Sequence, residues 1–215
     1  MYNPPSFAEH DVGVMHDFID AHPLGALVTS APTGLFATHL PLVLERGRGT
    51  RGTLEGHFAR ANAHHELVAE GTDALVIFTG VDAHVTPSLY PSKQRHGKVV
   101  PTWNYVAVHA HGRIRLVHEP VRLRAHLARL TARHEAPQPR PWSLDDAPPG
   151  YVDALLSAIV GIEIEIDRLD GKWKMSQNRP PEDVEGVIRG LEGSADATVR
   201  EVGAIVQARR PHRES

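Results

Sequence analysis

Residues 56–65, Gly56-His57-Phe58-Ala59-Arg60-Ala61-Asn62-Ala63-His64-His65, place three imidazoles and a guanidinium within ten positions. A neutral imidazole can ligate a metal or move a proton near neutral pH, and a guanidinium fork can hold two oxygens of a carboxylate or phosphate. The pattern reads as a strand entering a helix start, where unpaired backbone N–H groups favour an anion. Arg60 is therefore a candidate for the anionic group of a cofactor. A helix cap at Asn62 with Arg60 in a surface ion pair accounts for the same residues. For His64 and His65, ordinary solvent-exposed positions are the plain alternative to metal ligation.

A second concentration lies at residues 88–105, where Lys93, Arg95 and Lys98 are interleaved with Tyr90, Trp103 and Tyr105. Loops that mix cations with aromatic rings commonly line ligand pockets, although Trp103 would serve equally as a core plug. Residues 171–179 repeat the mixture with Lys172, Trp173, Lys174 and Arg179. His109 and His111 share one face of a strand, which would suit two metal ligands, but a half-exposed strand face explains them as well. Gly47-Arg48-Gly49-Thr50-Arg51-Gly52 matches a dinucleotide fingerprint in letters only. It falls between two strands with no helix to follow, and reads as a hairpin loop.

The elements that must position these groups are mostly short strands. Apolar spacing predicts a helix over 6–21 capped by Ser6, then strands over 24–30 and 35–44 around a turn at Ala31-Pro32-Thr33-Gly34. Strands are expected at 53–58, 74–79, 83–87, 106–117 and 159–169, and helices at 62–70, 121–134, 151–158 and 182–191. Residues 1–192 read as one domain. Residues 193–215 read as a polar tail, basic at its end, without firm structure. Strands joined by hairpins with helices inserted between them imply a β-rich α+β fold, an antiparallel barrel rather than a doubly wound parallel sheet.

The chain has 215 residues, no cysteine, 15 histidines and a formal net charge of −3. The absence of cysteine excludes disulfides, thiolate metal sites and a cysteine nucleophile. The charge argues against nucleic acid as a partner, and no apolar run reaches the roughly 20 residues of a membrane span. The N-terminus lacks a signal-peptide pattern, so a cytoplasmic protein is expected.

In combination, Met1-Tyr2-Asn3-Pro4, Ala37-Thr38-His39-Leu40-Pro41-Leu42, Gly56-His57-Phe58-Ala59-Arg60-Ala61-Asn62, Tyr90-Pro91-Ser92-Lys93, Val100-Pro101-Thr102-Trp103-Asn104-Tyr105 and Lys172-Trp173-Lys174-Met175-Ser176-Gln177-Asn178-Arg179 resemble the PaiB-like, FMN-binding split-barrel family. The resemblance reaches to about residue 191. It implies a homodimer of split β-barrels, with a cofactor in clefts at the subunit interface and a small-molecule substrate. Members are often labelled negative transcriptional regulators, yet no helix-turn-helix or basic reading helix is visible here. Two departures stand out: His65 where the family usually has Trp, and Leu89 where it usually has Trp. The family's piperazate synthase branch resembles this arrangement and uses haem in place of flavin, closing an N–N bond in N5-hydroxy-L-ornithine to give L-piperazate and water. That branch implies haem b, with His65 as axial ligand and His64 as second choice, and Arg60, Lys93 and Lys98 at the propionates. Acid–base help would come from His39, His57 or Tyr90, with Thr38, Asn62, Trp103 and Lys174 also lining the cofactor. The alternative is an FMN flavoprotein with Arg60 and Thr38 near the phosphate, or a regulator without catalysis.

Overall fold

The computed structural model describes residues 1–32 and 34–210. Among the described residues are eight strands: β1 (Ala8–Glu9), β2 (Leu24–Ala31), β3 (Gly34–Pro41), β4 (Val43–Glu45), β5 (Thr53–Ala59), β6 (Asp73–Val85), β7 (Thr102–Val117) and β8 (Ile159–Lys174). Seven helices accompany them: α1 (Val12–Ala21), α2 (His64–Leu67), α3 (Ser92–His96), α4 (Pro120–Glu135), α5 (Tyr151–Leu156), α6 (Pro181–Glu192) and α7 (Ala197–Ala208). The strands form one sheet in the order β3-β2-β6-β7-β8-β5-β4, with β1 paired to β8. This is the antiparallel, β-rich α+β split-barrel class expected from the sequence.

Residue alternation explains the central strands. On β8, Val160, Ile162, Ile164 and Ile166 are all buried, and β5 sets Phe58, Gly56 and Leu54 opposite the first three of them. Side chains two apart share a face, so this register stacks one continuous apolar layer. The other face of the same pairing sets Glu55 directly opposite Glu163. Close approach matters as much as pattern. A Cβ on Gly112 of β7 would run into the backbone carbonyl of Glu165, which cannot move aside. Gly112→Ala is therefore expected to destabilise the fold by about 3 kcal/mol or more; an unchanged urea midpoint for that variant would contradict the packing.

The chain forms two compact units. One comprises Met1–Asp11, Thr79–Val108 and Asp170–Ser215; the other comprises Val12–Phe78 and His109–Leu169. Several boundaries also move. The helix expected from Ser6 begins at Val12, after a 3-10 turn at Pro5–Phe7 and strand β1. Residues 35–44 break at Leu42, whose N–H donates to the Pro23 carbonyl instead of a strand partner. The two strands expected at 74–79 and 83–87 are one, since Gly80 does not interrupt β6. Loop 88–105 contains α3, and β8 continues to Lys174. The Ala31–Gly34 turn includes Thr33, which lies outside the described residues, as does Arg213 of the basic end.

The tail reading is corrected most. Asp196 caps α7 by accepting from the Thr198 N–H at 2.8 Å. Val202 and Val206 are buried, as are Val187 and Leu191 of α6, and the two helices pack together. Burial of one apolar face against α6 stabilises this helix, whose Val199, Val202, Ile205 and Val206 lie between polar stretches of the sequence.

Candidate functional site

The turn after β5 is built around Asn62. The Asn62 N–H donates to Ala59 O at 2.8 Å and reverses the chain. Its side-chain oxygen accepts from the His64 N–H at 2.9 Å, and its backbone carbonyl accepts from His65 Nδ1 at 2.8 Å. Side-chain capping of this kind satisfies donors that a short helix leaves orphaned. The two tandem imidazoles then meet opposite fates.

His64 is 0 % exposed. Its Nε2 lies 2.8 Å from Thr29 Oγ1 and its Nδ1 lies 2.8 Å from Thr38 Oγ1, with Phe36 and Phe58 against the ring. Burial, together with the charge of neighbouring His65, lowers its pKa. Both nitrogens are occupied, so the expectation of His64 as a metal ligand is corrected: it is a core histidine that ties β2 and β3 to the turn. His65 is half-buried. A backbone carbonyl can only accept, so Nδ1 carries the proton and Nε2 presents its lone pair, with no hydrogen-bonding partner among the described residues. A ligand imidazole held by its other nitrogen has this arrangement.

Arg60 departs from its expected role. Its Nε donates to Ser157 O at 2.7 Å and Nη2 donates to Ile159 O at 3.0 Å, clamping the chain where β8 begins. With the guanidinium occupied by carbonyls, and α2 only four residues long, the anion site expected here is not formed. Thr38 and Asn62 likewise serve His64, joined to each other at 3.3 Å. His39 is exposed on β3, and His57 is half-buried on β5.

The remaining candidates belong to the other unit. Lys93 and Lys98 are exposed at and just beyond α3, and neither makes an ion pair among the described residues. Trp103 is 54 % exposed rather than a core plug, with His84 edge-on to it at 5.6 Å. Lys174 Nζ donates to Thr102 Oγ1 at 2.6 Å and also to Trp103 O; burial and the nearby Lys172 and Arg179 charges lower its pKa. Tyr90 is only 2 % exposed, with the Arg179 guanidinium 5.0 Å from its ring centre and no hydrogen bond to its hydroxyl. As packed, that hydroxyl is closed to a substrate.

The sequence reading missed a charged cluster beneath α4. Arg48 bridges the facing carboxylates, at 2.7 Å from Glu55 and 3.3 Å from Glu163. Arg129 also binds Glu55, and Arg115 and Arg122 bind Glu163. Opposed like charges destabilise a strand pair, and these guanidiniums offset that repulsion. Burial alone would raise the Glu55 pKa, but His126, Arg129 and Arg48 outweigh it and hold the carboxyl at about 2. The available signal was the helical spacing of Arg122, His126, Arg129 and Arg133, one basic stripe on α4.

An antiparallel sheet in this order, with helices inserted between its strands, is of the split-barrel class. The profile of the family described as "Putative FMN-binding domain" matches residues 1–168, and the chain belongs to that family. The uncharacterized protein AN0679 of Emericella nidulans is 34 % identical over 97 % of this chain and 97 % of its own. Protease synthase and sporulation protein PAI 2 of Bacillus subtilis is 28 % identical over 96 % and 97 %, which makes the family PaiB-like. Among solved structures, the flavocytochrome Anf3 of Azotobacter vinelandii shares the fold at a TM-score of 0.59 and 14 % identity, over 78 % of this chain and 69 % of that one. The FAD and heme binding protein of Mycobacterium smegmatis does so at 0.56 and 16 %, over 85 % and 80 %.

Proposed function

We propose that the protein is a flavin-binding split-barrel flavoprotein. The observation that supports this reading is the family match over residues 1–168, with a PaiB-like relative aligned along nearly its whole length. The residues present fit a flavin in part. Arg60 and Thr38 are occupied elsewhere, so the phosphate falls to Lys93 and Lys98, the unpaired cations of the candidate set. The exposed indole of Trp103 offers a face for a planar ring. A bound flavin would supply hydride or electron transfer; the protein's part is to hold its phosphate and shield its ring. The reading also takes the protein to be a homodimer, which sedimentation at micromolar concentration would test.

A second reading is favoured by one specific feature, the bare Nε2 of His65. A haem iron needs such a lone pair. Bound haem would supply a Lewis-acidic iron for the redox-neutral closure of N5-hydroxy-L-ornithine to L-piperazate and water. In that case His65 would hold the cofactor, and the residues around it would align the terminal amine with the hydroxylated nitrogen. Solved structures that share this fold include a flavocytochrome and an FAD and heme binding protein.

The absorption spectrum of protein purified from flavin- and haem-sufficient cells separates these readings. Flavin bands unaffected by His65→Ala are expected for the first. A Soret band lost or shifted in His65→Ala, with cyclised product from N5-hydroxyornithine, would replace it with the second. A colourless protein that takes up neither cofactor would overturn both.

A further inference from the structure

His57, His126 and Glu55 form a connected chain under α4, all within one unit. His57 Nδ1 lies 3.1 Å from His126 Nε2, their rings edge-to-face with centroids 5.3 Å apart. His126 is 5 % exposed, and its Nδ1 has no hydrogen-bonding partner; Glu55 Oε2 is 3.8 Å away, within ion-pair range. A cavity of about 220 Å³ borders the Glu55 and His126 end, with Arg48, Arg122, Arg129 and Glu163 on its walls. His57 is half-buried, and among the described residues its Nε2 makes no hydrogen bond.

Protonation follows from these placements. The ionised Glu55 favours the proton of His126 on Nδ1, which leaves Nε2 as an acceptor. His57 must then donate through Nδ1, so its own Nε2 is unprotonated. Burial, and then the neighbouring His126, push the His57 pKa down to about 4, which keeps that ring neutral near pH 7.

We propose that His57 and His126 are a two-imidazole proton relay, oriented by Glu55, between the cavity under α4 and a polar N–H or O–H group presented at His57 Nε2. A proton arriving at His57 Nε2 releases the Nδ1 proton to His126 Nε2, and His126 releases its Nδ1 proton to water or a basic ligand in the cavity. One proton enters, one leaves, and both rings exchange tautomers. Glu55 remains ionised throughout and, with His126, is a positioning residue for His57. Arg48 and Arg129, which grip Glu55, and Glu163 and Arg122 across the cavity are the charged groups that face the pair. The relay stands apart from the His65 turn and does not depend on which cofactor the family site holds.

Long-range proton–nitrogen correlation spectra of the histidine rings in the full-length protein at pH 7 test this directly. The expected spectrum has His57 protonated at Nδ1 and bare at Nε2, and His126 in the same form. His126→Leu should release His57 into a mixture of both tautomers. His126→Gln, which keeps an acceptor near the Nε2 position, should restore the original form. A wild-type His57 carrying its proton on Nε2 overturns the proposal, as does a tautomer indifferent to His126→Leu. The wild-type measurement decides the matter even if the leucine variant does not fold.

Discussion

His64→Ala is expected to destabilise the protein by about 4 kcal/mol, while His65→Ala, one residue on, costs about 1 kcal/mol or less. The first change empties a fully enclosed site between Phe36 and Phe58 and removes both partners that the Thr29 and Thr38 hydroxyls meet there. Vacating a packed core position costs about 2–5 kcal/mol, and leaving a buried hydroxyl unsatisfied adds about 1–3. Because Thr38 also receives the Asn62 amide at 3.3 Å, part of that second cost is avoided. His65→Ala removes one hydrogen bond to a backbone carbonyl from a half-buried ring, a loss typical of surface positions. Urea unfolding of the two variants gives the comparison, and equal losses would contradict the roles assigned here. Since proteins are stable by only about 5–15 kcal/mol, the alanine at position 64 removes a large share. The contrast also guards the spectral test: a cofactor lost from His64→Ala reports unfolding, whereas one lost from the stable His65→Ala reports ligation.

Much of this was legible from residues alone, and the limit falls where contacts are long-range. Alternation along β5 and β8 marks the apolar layer because strand period is local, and the tandem histidines after Asn62 announce the turn. Nothing local reveals that Arg60 reaches carbonyls of residues 157 and 159, which only strand pairing brings near. Until that clamp is seen, Arg60 reads as an anion holder. Glu55 and Glu163 are likewise unremarkable in sequence; the antiparallel register makes them face each other and draws in the basic stripe of α4. Helix α7 was missed for a different reason. Its apolar residues acquire a packed face only against α6, and the polar residues on either side of the helix suggested a free tail where packing forms a helix.

The same buried charges predict acid lability in two successive windows. His57 titrates at about 4 when folded against 6.5 in the open chain, so as pH falls below 6.5 the unfolded state takes up a proton that the native state refuses. Stability should therefore decline between pH 6.5 and 4, with His64 contributing in the same direction. Glu55, at about 2 when folded against 4.5 unfolded, extends the decline from pH 4.5 towards 2. Each 2.5-unit difference corresponds to at most about 3 kcal/mol at 1.36 kcal/mol per unit, and the half-exposed guanidiniums around Glu55 reduce its share. Folding free energy measured at pH 7, 5.5, 4.5 and 3 should fall at every step. His57→Leu should flatten the first part of the curve and leave the second, because Glu55 keeps Arg48 and Arg129 whichever residue occupies position 57. A stability profile level from pH 7 to 4.5 would mean that His57 is protonated in the folded protein at no cost. The neutral ring inferred above would then be lost, together with the bare nitrogen on which a relay through His126 depends.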